Sequence, residues 1–462
     1  MLKDTISIMK KSFVFITILL LSLTIAQLAV PNSAAQGPIV TELWSDPMNV
    51  NDVVVSRNGN YIAAVNDTGV YFFWWNESTP LWWYNTNTIN ERFLSVAISA
   101  DGNYVIVGNN SYPSTAPSSG SIYYFGNCIS RTGHQAVNSY NWTSLHFFGE
   151  GTPSVERRTI DISDNGEYVA VGGTGYNLYV FFNSTKRSGT LLNYNWSIGV
   201  GIDVWALDMS PDGQYIAFGG GSTPNGFVAF VINANTMSYY KAWNTWNLYA
   251  IRDIAISDDG SAVCASGGWG DLYYWANAKA LTGNPTSTWN STTMFGCVDT
   301  SSNGDMVVAG SEAFSLHFWD NALTRSVSNS PETWTNLTGE GVYDVAISDD
   351  GKIIAAVMPY GQGPAHVCFF TDQNVLIGNF TYSPGLNMTS MSGDGRVAAA
   401  GGETIDSLHV FYIDREQIEK NPAVGGELIV LDRLALLAPY IALVALVAAT
   451  AAVSALLKRR MP

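Results

Sequence analysis

The sequence predicts an all-β chain that closes into a ring of eight four-stranded sheets, a β-propeller, and three observations predict it. A four-residue core, Ser-x-Asp/Asn-Gly, recurs eight times, ending at Gly59, Gly102, Gly166, Gly213, Gly260, Gly304, Gly351 and Gly395. Successive glycines lie 43, 64, 47, 47, 44, 47 and 44 residues apart, a period that belongs to propeller blades or to helical solenoids. Short apolar runs such as Val345-Ala346-Ile347 and Ile353–Val357 flank each core, and they are strands by length. Asp or Asn before Gly then supplies the positive-φ residue of a tight hairpin between them, and the Ser hydroxyl can bond to nearby backbone.

Each blade carries three further signals. The second strand repeats small and β-branched residues, as in Tyr61-Ile62-Ala63-Ala64-Val65 and Val397-Ala398-Ala399-Ala400-Gly401. Apolar residues on both faces require cover on both sides, which neighbouring blades give. An aromatic third strand follows, from Val70 to Trp74 in the first repeat through Leu408 to Tyr412 in the last. The outer strand is marked by an aromatic 15 to 19 residues before most of the following glycines: Trp44, Trp83, Trp142, Trp196, Trp243, Trp289, Trp334 and Phe380. The last repeat stops after its third strand, near Ile413, while Ile39 to Trp44 begins the chain with no strand before it. The N-terminal strand therefore completes the last blade and leaves the ring without an open edge. Eight cores and eight outer strands give eight blades; seven, with one repeat degenerate, is the alternative.

The 462 residues can bury a large core, yet the repeats imply one ring rather than several domains. An aromatic content of 13%, with 15 Trp, 23 Tyr and 43 Gly, suits many strands joined by tight turns. Formal charge is −16 although only 13% of residues are charged, and no basic stripe exists to neutralise phosphates, which argues against a nucleic-acid partner. The four cysteines, Cys128, Cys264, Cys297 and Cys368, have no metal-ligand spacing. They read as buried small hydrophobes, with a Cys264–Cys297 bridge as the alternative.

The two ends differ from the ring. Lys10-Lys11, an apolar run from Phe13 to Val30 and the small residues Ser33-Ala34-Ala35 make residues 1–35 a cleaved secretion signal, with an uncleaved anchor as the alternative. The propeller spans 36–413. A polar stretch with Pro422 and Gly425-Gly426 follows at 414–433 as a short stalk. Residues 434–457 hold no charged side chain and are long enough for a transmembrane helix; Lys458, Arg459 and Arg460 start a cytoplasmic tail, 458–462. The expected location is the cell membrane, single-pass, with the propeller extracellular.

Segments such as Ala206-Leu207-Asp208-Met209-Ser210-Pro211-Asp212-Gly213 and Leu316-His317-Phe318-Trp319-Asp320 resemble the WD-repeat propellers and their prokaryotic membrane-anchored surface relatives. The Gly-His dipeptide of that family does not recur with the repeats, occurring only at Gly133-His134, and Trp-Asp closes a third strand only at Trp319-Asp320. A second resemblance is to quinoprotein-like propellers, with eight blades and a Trp in each outer strand. It implies a dehydrogenase dependent on pyrroloquinoline quinone (PQQ), but the adjacent cysteines often found there are missing and no cofactor cradle is legible.

No catalytic motif occurs, and no cofactor, metal or catalytic residue is assigned. Asp161, Asp208 and Asp299 share one register, five residues before the glycine; Asp52, Asp253 and Asp344 share another, seven before it. Such recurrence fits structural hydrogen bonding better than a catalytic centre, with a cation held in the axial channel as the alternative. His317 and His409 occupy like places in third strands and read as structural. The insertion behind the 64-residue spacing carries Arg131, His134, Arg157 and Arg158 and is a candidate binding element. Sequons at Asn66, Asn76, Asn109, Asn141, Asn183, Asn195, Asn290, Asn336, Asn379 and Asn387 are candidate glycosylation sites if the ring is exported. The residues point to a cell-surface scaffold that binds other cell-envelope proteins or glycans. The alternatives are an extracytoplasmic PQQ-dependent dehydrogenase and a surface-coat component.

Overall fold

The computed structural model describes residues 38–85, 91–111, 119–145, 159–173, 176–191, 193–221, 225–236, 240–267, 271–326, 328–359, 364–382, 385–402 and 408–420. Those residues form eight antiparallel sheets, two of which gain a short fifth strand. We number the blades by their inner strands: Asp52–Val55, Glu91–Ile98, Ile160–Ile162, Val204–Met209, Ile251–Ile256, Phe295–Thr300, Asp344–Ile347 and Leu386–Met391. In blades 1 to 7 the chain runs outward through three more strands. Blade 8 takes its outer strand, Val40–Asp46, from the start of the chain, paired antiparallel with Leu408–Ile413. The ring thus has eight blades and closes with strands from both ends. Glu42 locks the closure: it accepts from His409 Nδ1 at 2.8 Å and from Tyr382 Oη, on blade 7, at 2.8 Å.

All eight Ser-x-Asp/Asn-Gly cores are turns between the inner and second strands, and they define one face of the ring, the turn face. Each Ser hydroxyl gives its proton to the Asp or Asn side chain two residues on; in blade 1 Ser56 Oγ donates to Asn58 at 2.8 Å and accepts from Tyr61 N at 2.9 Å. The glycine takes φ near +70°, which L side chains rarely adopt. At Gly102, Gly166, Gly213 and Gly260 it is also where a tyrosine of the preceding blade lands: a Cβ at Gly102 or Gly213 would collide with the ring of Tyr61 or Tyr168. That contact explains the aromatic that follows so many of the turns.

Between blades the core is aromatic and aliphatic, and three seams of hydrogen bonds run round it. In the outer seam an indole Nε1 on one blade's outer strand donates to a carbonyl just past the third strand of the next: Trp44 to Trp75, Trp82 to Cys128, Trp142 to Ser184, Trp196 to Ala234, Trp243 to Ala278, Trp289 to Ala322 and Trp334 to Asp372. An indole combines a large apolar body with a donor at its far edge. The eighth position is Phe380, which packs on Phe411 and has nothing to donate. In blade 1 the residue in this register is Trp82, fully buried, rather than Trp83, which is partly exposed beside His134. Side chains alternate along a strand, so a one-residue slip exchanges inside for outside.

The four cysteines are buried and none is in a disulfide, so the Cys264–Cys297 alternative falls away. The described part of the expected stalk forms a short helix, Arg415–Lys420, whose first residue folds back on the turn face, Arg415 pairing with Asp350 and donating to Asp394 O at 2.6 Å. Among the described residues no helix is long and apolar enough to cross a membrane. Residues 1–35, 421–433, 434–457 and 458–462 lie outside the described ones, so the expected signal, the rest of the stalk, the membrane span and the tail belong to the proposal below.

Candidate functional site

The axial channel gathers the recurring carboxylates. A cavity of about 240 Å³ is lined by Asp52, Asp161, Asp208, Asp253, Asp299 and Asp344 with the apolar inner-strand residues between them. Each aspartate uses one oxygen on the amide of the residue after it, as Asp253 does with Ile254 at 3.0 Å. The other oxygen crosses to the next blade. Asp52 takes Val96 N, Asp253 takes Val298 N and Asp344 takes Thr389 N; Asp161 takes Met209 N, Asp208 takes Ile256 N and Asp299 takes Ile347 N, all at 2.8–2.9 Å. Ser390 does the same for Val55 N at 3.0 Å. The two sequence registers are therefore two levels of one seam, each reaching the amide one residue further along on the neighbour. Blade 2 has Ser95 and Ala97 at these positions, and Ser95 Oγ has no partner. A buried carboxylate is held by such amides, which stabilise its charge.

One junction differs. Blades 3 and 4 both use the lower level, so the amide of Met209 is shared by Asp161 Oδ2 at 2.8 Å and Asp208 Oδ1 at 2.9 Å. Two carboxylates on one donor cannot both ionise freely. Burial first, with the neighbouring charge added, pushes Asp208 well above the usual carboxylate range, while burial raises Asp161 to about 6 against its amide bonds.

The channel narrows at the turn face, where the second residue of each core points inward. Backbone amides join these positions into a ring: Asn58 N to Ala100 O, Ala100 N to Asp164 O, Asp164 N to Pro211 O, Asp258 N to Ser302 O, Ser302 N to Asp349 O, Asp349 N to Gly393 O and Gly393 N to Arg57 O, between 2.8 and 3.1 Å. The break falls at Pro211, which has no N–H to give. The three seams thus each miss one junction, and a different one: blades 2 and 3 in the channel, 4 and 5 in the turn ring, 7 and 8 among the indoles. Arg57 fills the narrow end. Its guanidinium contacts Asp164 at 3.6 Å, Asp349 at 2.9 Å and Asp258, from blades 3, 7 and 5. Against the cost of partial burial, Asp258 and Asp349 hold the Arg57 charge firmly on. The sequence reading missed this residue, because the second core position looks unconstrained along the chain.

Other arrangements are structural. Ser315 Oγ lies 2.7 Å from His317 Nε2, and His317 Nδ1 lies 3.0 Å from Glu332, the atom order of a hydrolytic triad. Ser315 is only 5% exposed, however, and the His–carboxylate pair recurs as His409–Glu42 in the closing blade. This is the blade's own cross-strand bonding. Among the described residues no cluster of three or more His, Cys, Asp or Glu side chains is placed to hold a metal ion. A second cavity, about 440 Å³, opens at the rim beside Trp334, between Asp305, Asp320 and Asp372. Blade 7 joins its outer strands by the tight turn at Asp372–Asn374; blades 2, 3, 5 and 6 place a 3₁₀ turn there.

Of the insertion residues, Arg131 is engaged within the fold: it donates to Gly126 O, Gln135, Ser139 O and Asn141 and lies over the rings of Trp82 and Phe125. Arg187 and Arg325 stand at the same place after their own 3₁₀ turns, so the pattern Asn-x-x-x-Arg was the legible sign of this role. His134 is exposed; Arg157 and Arg158 lie outside the described residues. Among the sequons, Asn76, Asn183 and Asn379 are exposed, Asn109 is buried in a strand, and Asn141 and Asn195 accept the amides of Gly126 and Phe182.

The fold and its channel define an eight-bladed, WD40-like β-propeller whose axial groups are bonded to the ring itself. Its structure is similar to the C-terminal WD40 domain of Sif2, with a TM-score of 0.59 over 81% of this chain and 99% of that one, at 12% identity. At that identity the likeness speaks for the fold. No family model and no curated protein sequence matches the chain.

Proposed function

We propose that this chain is a membrane-anchored cell-surface propeller that acts as a non-catalytic scaffold, binding another envelope protein or a glycan through the loops of one face. One observation carries the reading. The last strand of the ring, Leu408–Ile413, ends at the turn face, where Arg415 is docked, and the outer strand Val40–Asp46 starts there. An anchor at 434–457 would then leave from the turn face, and the opposite face would look away from the membrane. The amide-bound channel carboxylates favour a scaffold over a dehydrogenase, since each is already committed to backbone on two blades. The proposal includes a cleaved signal at 1–35, the basic tail inside the cell, and glycans at the exposed Asn76, Asn183 and Asn379.

Titrating the purified full-length chain with PQQ and Ca²⁺ tests the scaffold against the enzyme. Absence of dye reduction is the expected result; a bound chromophore with dye reduction would overturn the scaffold reading. Protease added to intact cells should cut the propeller and spare the tail, and the opposite pattern would overturn the orientation.

A further inference from the structure

Among the described residues twelve large apolar side chains stand exposed, and six of them gather on the loop face of blades 4 to 7: Trp246, Tyr249, Met294, Phe314, Leu337 and Tyr343, 37–83% exposed. Their backbones are tied together. Met294 O accepts from Glu312 N at 3.0 Å, Phe314 O accepts from Thr338 N at 3.1 Å, and the Tyr343 ring lies beside Gly341. Arg252 of blade 5 pairs with Glu312 of blade 6 at 2.6 Å, joining the Tyr249 loop to the Phe314 turn. Large apolar side chains gathered exposed on one face mark an interaction site.

Phe314 adds an independent sign. Among the described residues ten other than glycine have positive φ; eight are Asn, and the others are Tyr176 at +59° and Phe314 at +71°. A bulky side chain is strained there, and Asn is what the chain uses elsewhere. Both aromatics sit between the second and third strands of their blades, on the loop face, and both are more than half exposed. Packing within the fold does not repay the strain, which leaves presentation to a partner.

Partly exposed carboxylates border the patch at Asp203 and Asp271; Glu312 is paired with Arg252, and Glu340, only 18% exposed, lies 3.6 Å from His366. We infer that this surface docks an exposed segment of another protein that presents aliphatic or aromatic side chains flanked by Lys or Arg, an inference that rests on the scaffold reading above. The aliphatic Met294 and Leu337 among the rings suit apolar side chains, and the acidic border repels anionic headgroups, so protein is the favoured class.

The test is a selection of random dodecapeptides on the immobilised full-length chain at about 150 mM salt, where long-range steering is screened. Recovered peptides should be net positive with at least one large apolar side chain. Their affinity should fall by about tenfold or more for Phe314→Asn and for Leu337→Ser, as expected of central anchors. Phe314→Asn should melt no lower than the parent, which separates lost binding from lost folding. Acidic or uncharged peptides, or affinities that neither variant changes, would overturn the inference and leave the scaffold standing. Recovery of no peptide would overturn it too, as would glycan or phosphatidylglycerol-vesicle binding that these variants abolish. Failure of the scaffold itself would appear as dye reduction in the PQQ titration.

Discussion

On the turn face, eight copies of one hairpin carry the same Ser hydroxyl bonds, and seven of their eight junctions are joined by backbone hydrogen bonds around Arg57. On the loop face the connections between blades run from two residues, between Leu248 and Ile251, to fourteen, between Leu145 and Ile160. Exposed aromatics gather there, two of them in a strained conformation. The same repeat thus builds a uniform face that fastens the blades and a variable face free to differ. Rigidity in one layer is what lets loops in the other be positioned.

The comparison is broken most severely through the core that both faces share. Trp289 is fully buried, stacks on Tyr274 and bonds Ala322 of the next blade. Trp289→Ala should cost about 3–5 kcal/mol in urea unfolding, whereas Leu337→Ser on the loop face should stay within about 0.5 kcal/mol. A large loss at Leu337 would mean that the loop face also carries the ring.

Arg57→Ala strikes the turn face alone. It leaves Asp164, Asp258 and Asp349 facing one another without their cation, at a cost of roughly 2 kcal/mol at pH 7, between that of a surface and a buried ion pair. The deficit should shrink at pH 4.5 as Asp164 and Asp258, both raised by burial, protonate; thermal melts of both proteins at the two pH values check it.

The shared amide of Met209 gives the opposite sign. Asp161 and Asp208 titrate above the usual carboxylate value in the folded chain, so between about pH 4 and pH 6 the native state binds more protons than the unfolded one. The stability this protonation contributes is present in full below the unfolded value of 3.8 and is lost as pH rises through about 6, where Asp161 ionises. Asp208→Asn removes one of the competing charges. It should therefore raise the melting temperature at pH 7 and change it little at pH 4; a lower melting temperature at pH 7 would contradict the pairing. Phe314→Asn should bring a gain of about 1 kcal/mol from released strain.

Much of the ring was legible along the chain, because blades repeat and repetition can be counted. The eight cores, the closing strand Ile39 to Trp44 and the two aspartate registers all sit where their spacing puts them. Neighbouring tryptophans at 82 and 83 hid the register of one outer strand, since composition cannot tell which of two like residues faces in. Arg57 was hidden for a different reason. Its partners lie 107, 201 and 292 residues away in sequence, and only the circle brings blades 3, 5 and 7 round one guanidinium. The loop-face patch was equally silent, because exposure and left-handed backbone are set by turns whose residues share no pattern.

Amide hydrogen exchange of the full-length chain tests the division between the faces most directly. The amides of Ala100, Asp164, Ser302, Asp349 and Gly393, which close the turn ring, should exchange only when the whole propeller unfolds, while Glu312 and Thr338 on the loop face should exchange through local opening and far faster. Ring amides that exchange as fast as those two would contradict the account.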